Sequence, residues 1–515
     1  MMRRLACQVL ICLATPLAAQ TDRPLSAIDW LSQSVTEPPV PVAAPPTNPP
    51  PRPRLDEPPV ADSARTPDIV VTPLDGPATA PIGTLPQAET GLPVDMWAAS
   101  DPDRLVTLIA AQPEPALPAL RDLLRMLLLA RADAPPGAEE SLLLARVDKL
   151  LDLAALDDAQ ALIDAADPTD PELFRRWFDI SLLTGVEDEA CAAMQTAPGI
   201  APTFPARIFC LARSGDWMAA ALTLNTHRAL DDVSATEDAL LSRFLDADLV
   251  DPAQPLPPPD RVSPLIFRMR EAIGEGLATR PLPLAFARAD LRDTVGEKAR
   301  LEAMERLSLH CALPTGALEA AMRDVTPAAS GGVWDRLASL QDLSAALAGN
   351  DVAAVQTTLP AAWGAARTIH AEIDFAEIFG AALSGLPLTG AAGDIARTVG
   401  LLTGNAATLA DLPEVPTDLP TGLATGRMSD LQPHTAMEEA VLAGLNDTGL
   451  PEPTQALLAD GKLGEALLTA LAVFDAGVAG DARSVTDALR ILRAAGLGAA
   501  ARRAALELLL LDRES

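Results

Sequence analysis

A spacing of small residues recurs between leucine-rich stretches of this chain. A glycine or alanine is followed five positions later by an alanine at Ala154/Ala159, Gly185/Ala190, Gly215/Ala220, Gly349/Ala354, Gly461/Ala466 and Gly496/Ala501. The first three pairs begin 31 and 30 residues apart, and the last two begin 35 residues apart. A glycine can end a helix with a positive φ, and the later alanine lets the next helix pack closely. This period predicts stacked helical hairpins.

The composition also favours a helical core. Tyr is absent and aromatic residues make up 3% of the chain, so Leu and Ala must fill the interior. Sheets depend more on β-branched and aromatic residues, whereas Leu and Ala are strong helix formers. Asp101, Asp170 and Ser263 each precede a proline. This pattern is typical of a helix start, with an N-cap residue followed by Pro at the first helical position. We therefore predict an all-α fold.

Two segments, residues 214–220 and 460–466, resemble the turn into the second helix of a tetratricopeptide repeat. Phe174 and Phe204, each eleven residues before a motif glycine, stand where that family usually has an aromatic residue. The resemblance implies a degenerate tetratricopeptide-like helical-hairpin solenoid. Ile208 replaces the small residue usual in the first helix, and the closing proline is irregular. An irregular all-helical bundle is the alternative.

The first twenty residues are typical of a bacterial secretory signal. Arg3 and Arg4 precede a short apolar run over residues 5–17, and small residues follow at Ala18 and Ala19. The run is too short to span a bilayer. We expect export to the periplasm and no membrane span in the mature chain.

Three cysteines remain after the signal: Cys191, Cys210 and Cys311. An oxidising compartment favours pairing, and the two cysteines closest in sequence are Cys191 and Cys210. In a hairpin stack they fall on neighbouring helices, so we predict a disulfide between them. The alternative is a pair of buried thiols. Cys311 is left over as a small hydrophobic residue.

Proline divides the chain into segments. Seventeen prolines lie between residues 37 and 93, which is typical of a disordered linker. We predict the following order: a signal peptide (1–20), a short amphipathic helix (21–36), a Pro-rich disordered linker (37–91), a helical-repeat block (92–250), a Pro-rich loop (251–262), a second helical block (263–411), a linker (412–433) and C-terminal helical repeats (434–515).

Two apolar islands near the N-terminus are candidates for docking to a partner. The first has helical spacing and the second is a lone strand over residues 68–72, which needs another strand or surface to cover it. The candidate docking residues are Leu25, Ile28, Trp30, Leu31, Ile69, Val70 and Val71. Either island could bind another protein or pack against the chain's own helical body.

Charge and motifs exclude several functions. The net charge of -31 repels nucleic acid, and the sequence has no basic patch with interleaved aromatics. It contains no His-Glu-x-x-His motif, Walker loop, dinucleotide-binding glycine pattern or Gly-x-Ser-x-Gly elbow. We predict no catalytic, cofactor-binding or metal-binding residues and treat the carboxylates as solvated helix faces.

These features predict a periplasmic, non-enzymatic scaffold or adaptor that binds protein partners through an α-solenoid surface. Lys is rare beside Arg, and Ala and Pro are abundant, as in a GC-rich bacterium. A signal, a Pro-rich arm and an acidic helical body are similar to periplasmic scaffolds of alphaproteobacterial flagellar motors, so we expect a proteobacterial protein of the envelope or flagellar motor. The alternative is an envelope-acting glycan hydrolase or lyase. Perturbed carboxylates in a deep pocket would favour the enzyme, and a shallow apolar groove would favour the scaffold.

Overall fold

The computed structural model describes residues 81–249, 254–403, 418–427, 431–511 and 513. The predicted signal peptide (1–20), the short helix (21–36), residues 37–80 of the linker and the predicted strand (68–72) lie outside these described residues. So do the candidate docking residues Leu25, Ile28, Trp30, Leu31, Ile69, Val70 and Val71.

The described chain is all-α, which confirms the predicted fold class. Its first helices are α1 (Gln87–Thr90), α2 (Pro102–Ala110), α3 (Pro118–Leu129), α4 (Glu139–Asp152), α5 (Leu156–Asp164), α6 (Pro171–Thr184), α7 (Glu187–Thr196), α8 (Phe204–Arg213), α9 (Trp217–Ala229) and α10 (Ala235–Leu245). The middle helices are α11 (Pro264–Ala272), α12 (Glu297–Leu309), α13 (Ala317–Asp324), α14 (Val333–Ala348), α15 (Val352–Thr368), α16 (Glu372–Leu383) and α17 (Gly390–Leu402). The last are α18 (Leu419–Thr425), α19 (Ala436–Asn446), α20 (Glu452–Ala459), α21 (Leu463–Val478), α22 (Ala482–Ala494) and α23 (Gly498–Leu510). Short 3-10 helices span Pro198–Ile200, Ala247–Leu249 and Leu284–Leu291.

The predicted helix starts are correct. The side chains of Asp101, Asp170 and Ser263 each accept hydrogen bonds from backbone N–H groups in the first turn of α2, α6 and α11. A proline follows each cap, where its missing N–H leaves no intrahelical hydrogen bond unmade.

All six small-residue motifs lie at turns between consecutive, packed helices. The motif alanines that are completely buried in the second helix of their hairpins are Ala159, Ala190, Ala220, Ala466 and Ala501. Their methyl groups allow the close helix approach that the spacing predicts.

The turn itself is made in three ways. At the first motif Ala154 itself takes a positive φ of 54°. Gly185, Gly215, Gly461 and Gly496 have positive φ angles between 72° and 87°, as expected of glycines that end a helix. At the fourth motif the glycine stays right-handed and the following Asn350 takes a φ of 51°. Asparagine tolerates this conformation better than most residues, so the hairpin still closes.

The last part of the predicted linker belongs to the folded body. Ile82 and Leu85 form isolated β-bridges with Ala132 and Ala130, and α1 follows directly. The buried Arg146 side chain donates to the carbonyl oxygen of Ile82 at 3.0 Å. Ile82 and Leu85, at the end of the predicted linker, therefore contact the helical body.

A second predicted linker, over residues 412–433, also contains structure. Its described residues 418–427 include α18, whose Leu419 and Leu423 lie four positions apart and are both buried. Asp418 caps this helix through the N–H of Thr421 at 3.0 Å. Residues 254–262, by contrast, contain no helix in the described part of the predicted Pro-rich loop.

The N-terminal and C-terminal helices share one hydrophobic core. α21 packs against α2 and α3, and α23 packs against α3. Two backbone N–H groups near the start of α3 donate to side-chain carboxylates of the C-terminal helices. Ala116 donates to Asp475 at 2.9 Å, and Ala119 donates to Glu507 at 2.7 Å. A linear stack of repeats has contacts only between neighbours. The two ends of the helical body meet in this chain, so its repeats do not simply follow one another in a row.

The middle block joins the same body through the 3-10 helix Leu284–Leu291, which packs against α4, α6 and α12. Helices α7 to α10 share a smaller core with α6 and α11, which includes Phe178 on α6, Phe209 on α8 and Leu241 on α10. We call α7 to α10 the arm. It joins the rest of the body mainly through α6 and α11.

Among the described residues, no helix is both long enough and apolar enough to cross a membrane.

Candidate functional site

A disulfide holds the arm together. Cys191 lies in α7 and Cys210 in α8, their Cα atoms are 5.1 Å apart, and the two sulfur atoms are bonded. This confirms the predicted pair and its place between neighbouring helices. Both cysteines are buried in this smaller core, so the bond joins the α6–α7 hairpin to the α8–α9 hairpin.

A buried ionic cluster attaches the arm to the body. Glu187, at the start of α7, is completely buried and forms ion pairs with Arg268 at 2.8 Å and Arg213 at 3.1 Å. Arg268, from α11, also pairs with Glu271. Burial opposes the charged form of Arg268, but its contacts with Glu187 and Glu271 outweigh that effect and raise its pKa. These ion pairs therefore have a structural role, which is to hold α7 against α11.

The outer side of α9 is apolar and faces solvent. Trp217, Met218 and Leu222 are 51%, 82% and 67% exposed, and we call these three residues the α9 apolar face. Ala220 and Leu224, on the side of the helix opposite Met218 and Leu222, are buried, and Trp217 is the first residue of the helix. A helix that is apolar on both sides is usually covered on both. An exposed cluster of large apolar side chains marks an interaction surface.

Two more large apolar residues in this part of the chain are exposed. Leu230, directly after α9, is exposed, and so is Val186 in the turn before α7. Arg213 donates to Asp188 at 2.7 Å and thereby joins the start of α7 to the end of α8. The hairpin turns that carry Val186 and Trp217 are thus held in a fixed arrangement.

A polar cleft of about 420 Å³ lies between α3 and the turn from α4 to α5. Its cations already have partners: Arg125 pairs with Asp158, and Arg288 pairs with Asp157 at 2.8 Å. Arg121 donates to two backbone carbonyl groups. Because each of these arginines is occupied, the cleft offers an anionic substrate no uncommitted cation.

Cys311 also lines the polar cleft and is a free thiol. Burial raises its pKa to about 12, although nearby Arg121 acts in the opposite direction. The sulfur therefore stays protonated at neutral pH, whereas nucleophilic chemistry needs the thiolate. The sequence prediction that Cys311 is left unpaired is correct.

An apolar groove of about 410 Å³ lies where the described chain begins. Its apolar lining is Ile82, Leu143, Leu144, Ala166 and Leu173. Its acidic rim is Glu139, Glu140, Asp167 and Asp170. We call it the Ile82 groove. A shallow apolar groove of this kind is typical of a surface that binds another polypeptide segment.

The carboxylates with the most strongly raised pKa values lie elsewhere. Burial raises the pKa of Asp179 to about 7, against the opposing charges of Arg175 and Arg176. Burial and the nearby Glu377 raise the pKa of Asp374 to about 6. Neither side chain lines the polar cleft or the Ile82 groove. These perturbed acids are therefore explained by burial within helices and not by a substrate pocket.

Several carboxylates expected on solvated faces are buried. Glu187, Glu372, Glu465 and Glu507 are each no more than 2% exposed. Each one pairs with an arginine, as Glu372 does with Arg513 at 2.8 Å. Glu507 pairs with Arg503 one helical turn earlier, but the sequence offers no local signal for the other three, whose arginine partners Arg268, Arg513 and Arg104 are 81, 141 and 361 residues away.

The described residues contain no group of three or more His, Cys, Asp or Glu side chains placed to hold a metal ion. His310 pairs with Glu114 at 2.8 Å, and His370 lies 3.2 Å from the carbonyl oxygen of Leu309. Both rings thus have structural contacts.

Sequence reasoning missed the α9 apolar face, although a signal was present. Met218 and Leu222 are one helical turn apart, on the side opposite Ala220 and Leu224. Two apolar stripes on one helix cannot both be covered by a single hairpin partner.

No family model, no curated protein and no solved structure matches this chain. Its function has to be inferred from its own surfaces.

Proposed function

We propose that the protein is a periplasmic, non-enzymatic scaffold or adaptor that binds a protein partner on the α9 apolar face. The observation that carries the proposal is the solvent exposure of Trp217, Met218 and Leu222 on a helix whose other side is already buried. Burying such side chains is worth about 1.5–3 kcal/mol each, so a partner gains by covering them.

The construction of the arm supports this role. The Cys191–Cys210 disulfide and the Glu187 ion pairs hold the hairpins that present the face. A surface that is already rigid loses little conformational entropy when it binds, which favours affinity. An amphipathic helix laid against this face is the recognition mode that fits a single exposed helix.

The cellular compartment is part of the proposal. The signal-like N-terminus and the disulfide both suit an oxidising compartment outside the cytoplasm. We propose that the protein works in the proteobacterial envelope, with the flagellar motor as one candidate assembly. The repeated hairpins support descent from a tetratricopeptide-like solenoid. The shared core of the two ends would then be a later closure of that solenoid.

The test is site-specific photo-crosslinking in living cells. A photoreactive amino acid in place of Met218 should give discrete adducts with a partner of different mass. Leu222→Asp should lower their yield by about tenfold, because a charge at the centre of an apolar contact removes a hot spot.

The matched control places the photoreactive residue at Leu249. This leucine is also exposed but lies in a 3-10 helix outside α9. It should give few adducts, and Leu222→Asp should leave the melting temperature unchanged. Equal adduct patterns from positions 218 and 249 would refute a binding site on α9.

A further inference from the structure

We propose that the Ile82 groove binds residues 65–71 of the same chain. Ile69 and Val71 cover the apolar floor of the groove, and Arg65 lies against its acidic rim. The α9 apolar face plays no part in this contact, so the inference does not depend on the proposed function.

The floor of the groove requires an apolar occupant. Leu143 and Leu173 form its buried base, and Ile82 and Leu144 are only partly covered. Residues 69–71 are the β-branched sequence Ile-Val-Val. In an extended segment, residues 65, 69 and 71 lie on one side, and Asp68 lies on the other. The apolar side chains and Arg65 can therefore meet the groove together while Asp68 faces water.

The negative charge of the rim favours a positively charged occupant. Its four carboxylates have no ion-pair partner among the described residues. Hydrogen bonds from Thr169 lower the pKa of Asp167, so this group is charged at neutral pH. Residues 21–80 contain four basic side chains: Arg23, Arg52, Arg54 and Arg65. Arg65 is the one next to the apolar triplet.

The length of the chain makes this segment the favoured occupant. Ile82 is itself part of the groove, and Val71 lies eleven positions before it in the chain. An extended chain covers at most about 3.3–3.6 Å per residue, so eleven residues can reach across the groove and turn back. A short tether raises the effective concentration to the millimolar range, which favours this segment over an untethered peptide.

Disulfide trapping tests the contact in the full-length protein. Val71→Cys and Leu144→Cys are introduced together in a Cys311→Ser background, and oxidation is followed with time. The matched control uses Val60→Cys instead of Val71→Cys, because residue 60 belongs to the same Pro-rich N-terminal segment but lies outside the apolar triplet. The first pair should form its disulfide on the order of tenfold faster than the control pair.

Reversing the charges of Arg65 and Glu140 tests the proposed contact with the acidic rim. Arg65→Glu should slow disulfide formation severalfold, and adding Glu140→Arg should restore the rate, because the two opposite charges then face each other again in reversed positions.

In the wild-type chain, backbone amides of residues 69–71 should exchange with deuterium more slowly than those of residues 60–62, and Leu144→Asp should remove the difference.

Equal trapping rates for positions 71 and 60 would overturn the proposal. So would a product that is mainly a cross-linked dimer, since that would show occupation by a second copy. Loss of trapping with intact photo-crosslinking at Met218 would refute this contact and leave the α9 binding site unaffected.

Discussion

Gly464 shows how a single residue fixes the contact between the chain's two ends. It lies in the first turn of α21, against the completely buried indole of Trp97. A Cβ atom at this position would lie 2.0 Å from two atoms of the ring. The Gly464 N–H also donates to the carbonyl oxygen of Met96 at 3.0 Å. Only glycine allows this approach.

Gly464→Ala should therefore destabilise the protein by about 2–3 kcal/mol, because the ring and its surroundings have to move in a packed core. The control is Gly364→Ala, in the exposed middle of α15, where an added Cβ meets nothing within 4 Å. That substitution should stabilise the chain by about 0.5–1 kcal/mol through helix propensity. Urea denaturation of both variants measures the difference, and equal midpoints would contradict the contact with Trp97.

At the scale of elements, the helical hairpin is the recurring unit of this chain. The turn residue ends one helix, and the buried alanine five positions later lets the next helix return against it. This unit occurs as α6–α7 and α8–α9, and the disulfide joins one unit to the next. Covalent joining matters most in the arm because its core is small and separate from the main one.

Replacing both cysteines, as Cys191→Ser with Cys210→Ser, should destabilise the arm by roughly 2–4 kcal/mol, since a loop of this length is no longer closed in the unfolded chain. Limited proteolysis should then cut within residues 187–245 before the rest of the body. Cys311→Ser is the matched control and should change stability by about 1 kcal/mol or less. Photo-crosslinking at Met218 should persist, because the disulfide supports the arm and does not touch the partner. Unchanged protease resistance of the double variant would show that the bond contributes nothing to the arm.

At the scale of the whole molecule, the folded chain is closed. Helices α2 and α3 form one core with α21 and α23, and Glu507 on α23 binds the N–H of Ala119 at the start of α3. Arg104 on α2 pairs with the buried Glu465 on α21 at 2.7 Å. In an open solenoid, a substitution in the last repeat would affect the stability of its neighbouring repeat alone. In this chain, a substitution in the last helix must also affect the stability of the first helices.

Glu507→Ala should therefore accelerate hydrogen exchange in α3 as well as in α23. It leaves the buried N–H of Ala119 without its acceptor, which costs about 1–3 kcal/mol. The control is Glu439→Ala, an exposed glutamate in α19 of the same C-terminal block, which should leave exchange in α3 unchanged. Exchange that increases in α23 and not in α3 would mean that the two ends are coupled only weakly.

The sequence by itself determined the local structure. Helix starts follow from Asp101, Asp170 and Ser263 because a cap and its N–H groups lie within four residues of each other. The hairpins follow from the small-residue spacing, and the Cys191–Cys210 pair follows from placing two cysteines on consecutive helices. Each of these interactions joins residues close in sequence, so the pattern that encodes it can be seen in one short window.

The tertiary structure alone decided which surfaces are covered. Nothing near Glu465 in the sequence indicates that Arg104 will pair with it, and nothing near Gly464 indicates Trp97. The exposure of the α9 apolar face likewise depends on which helices pack around the arm. Burial results from contacts between segments hundreds of residues apart, and a local pattern shows that a helix side is apolar without showing what covers it.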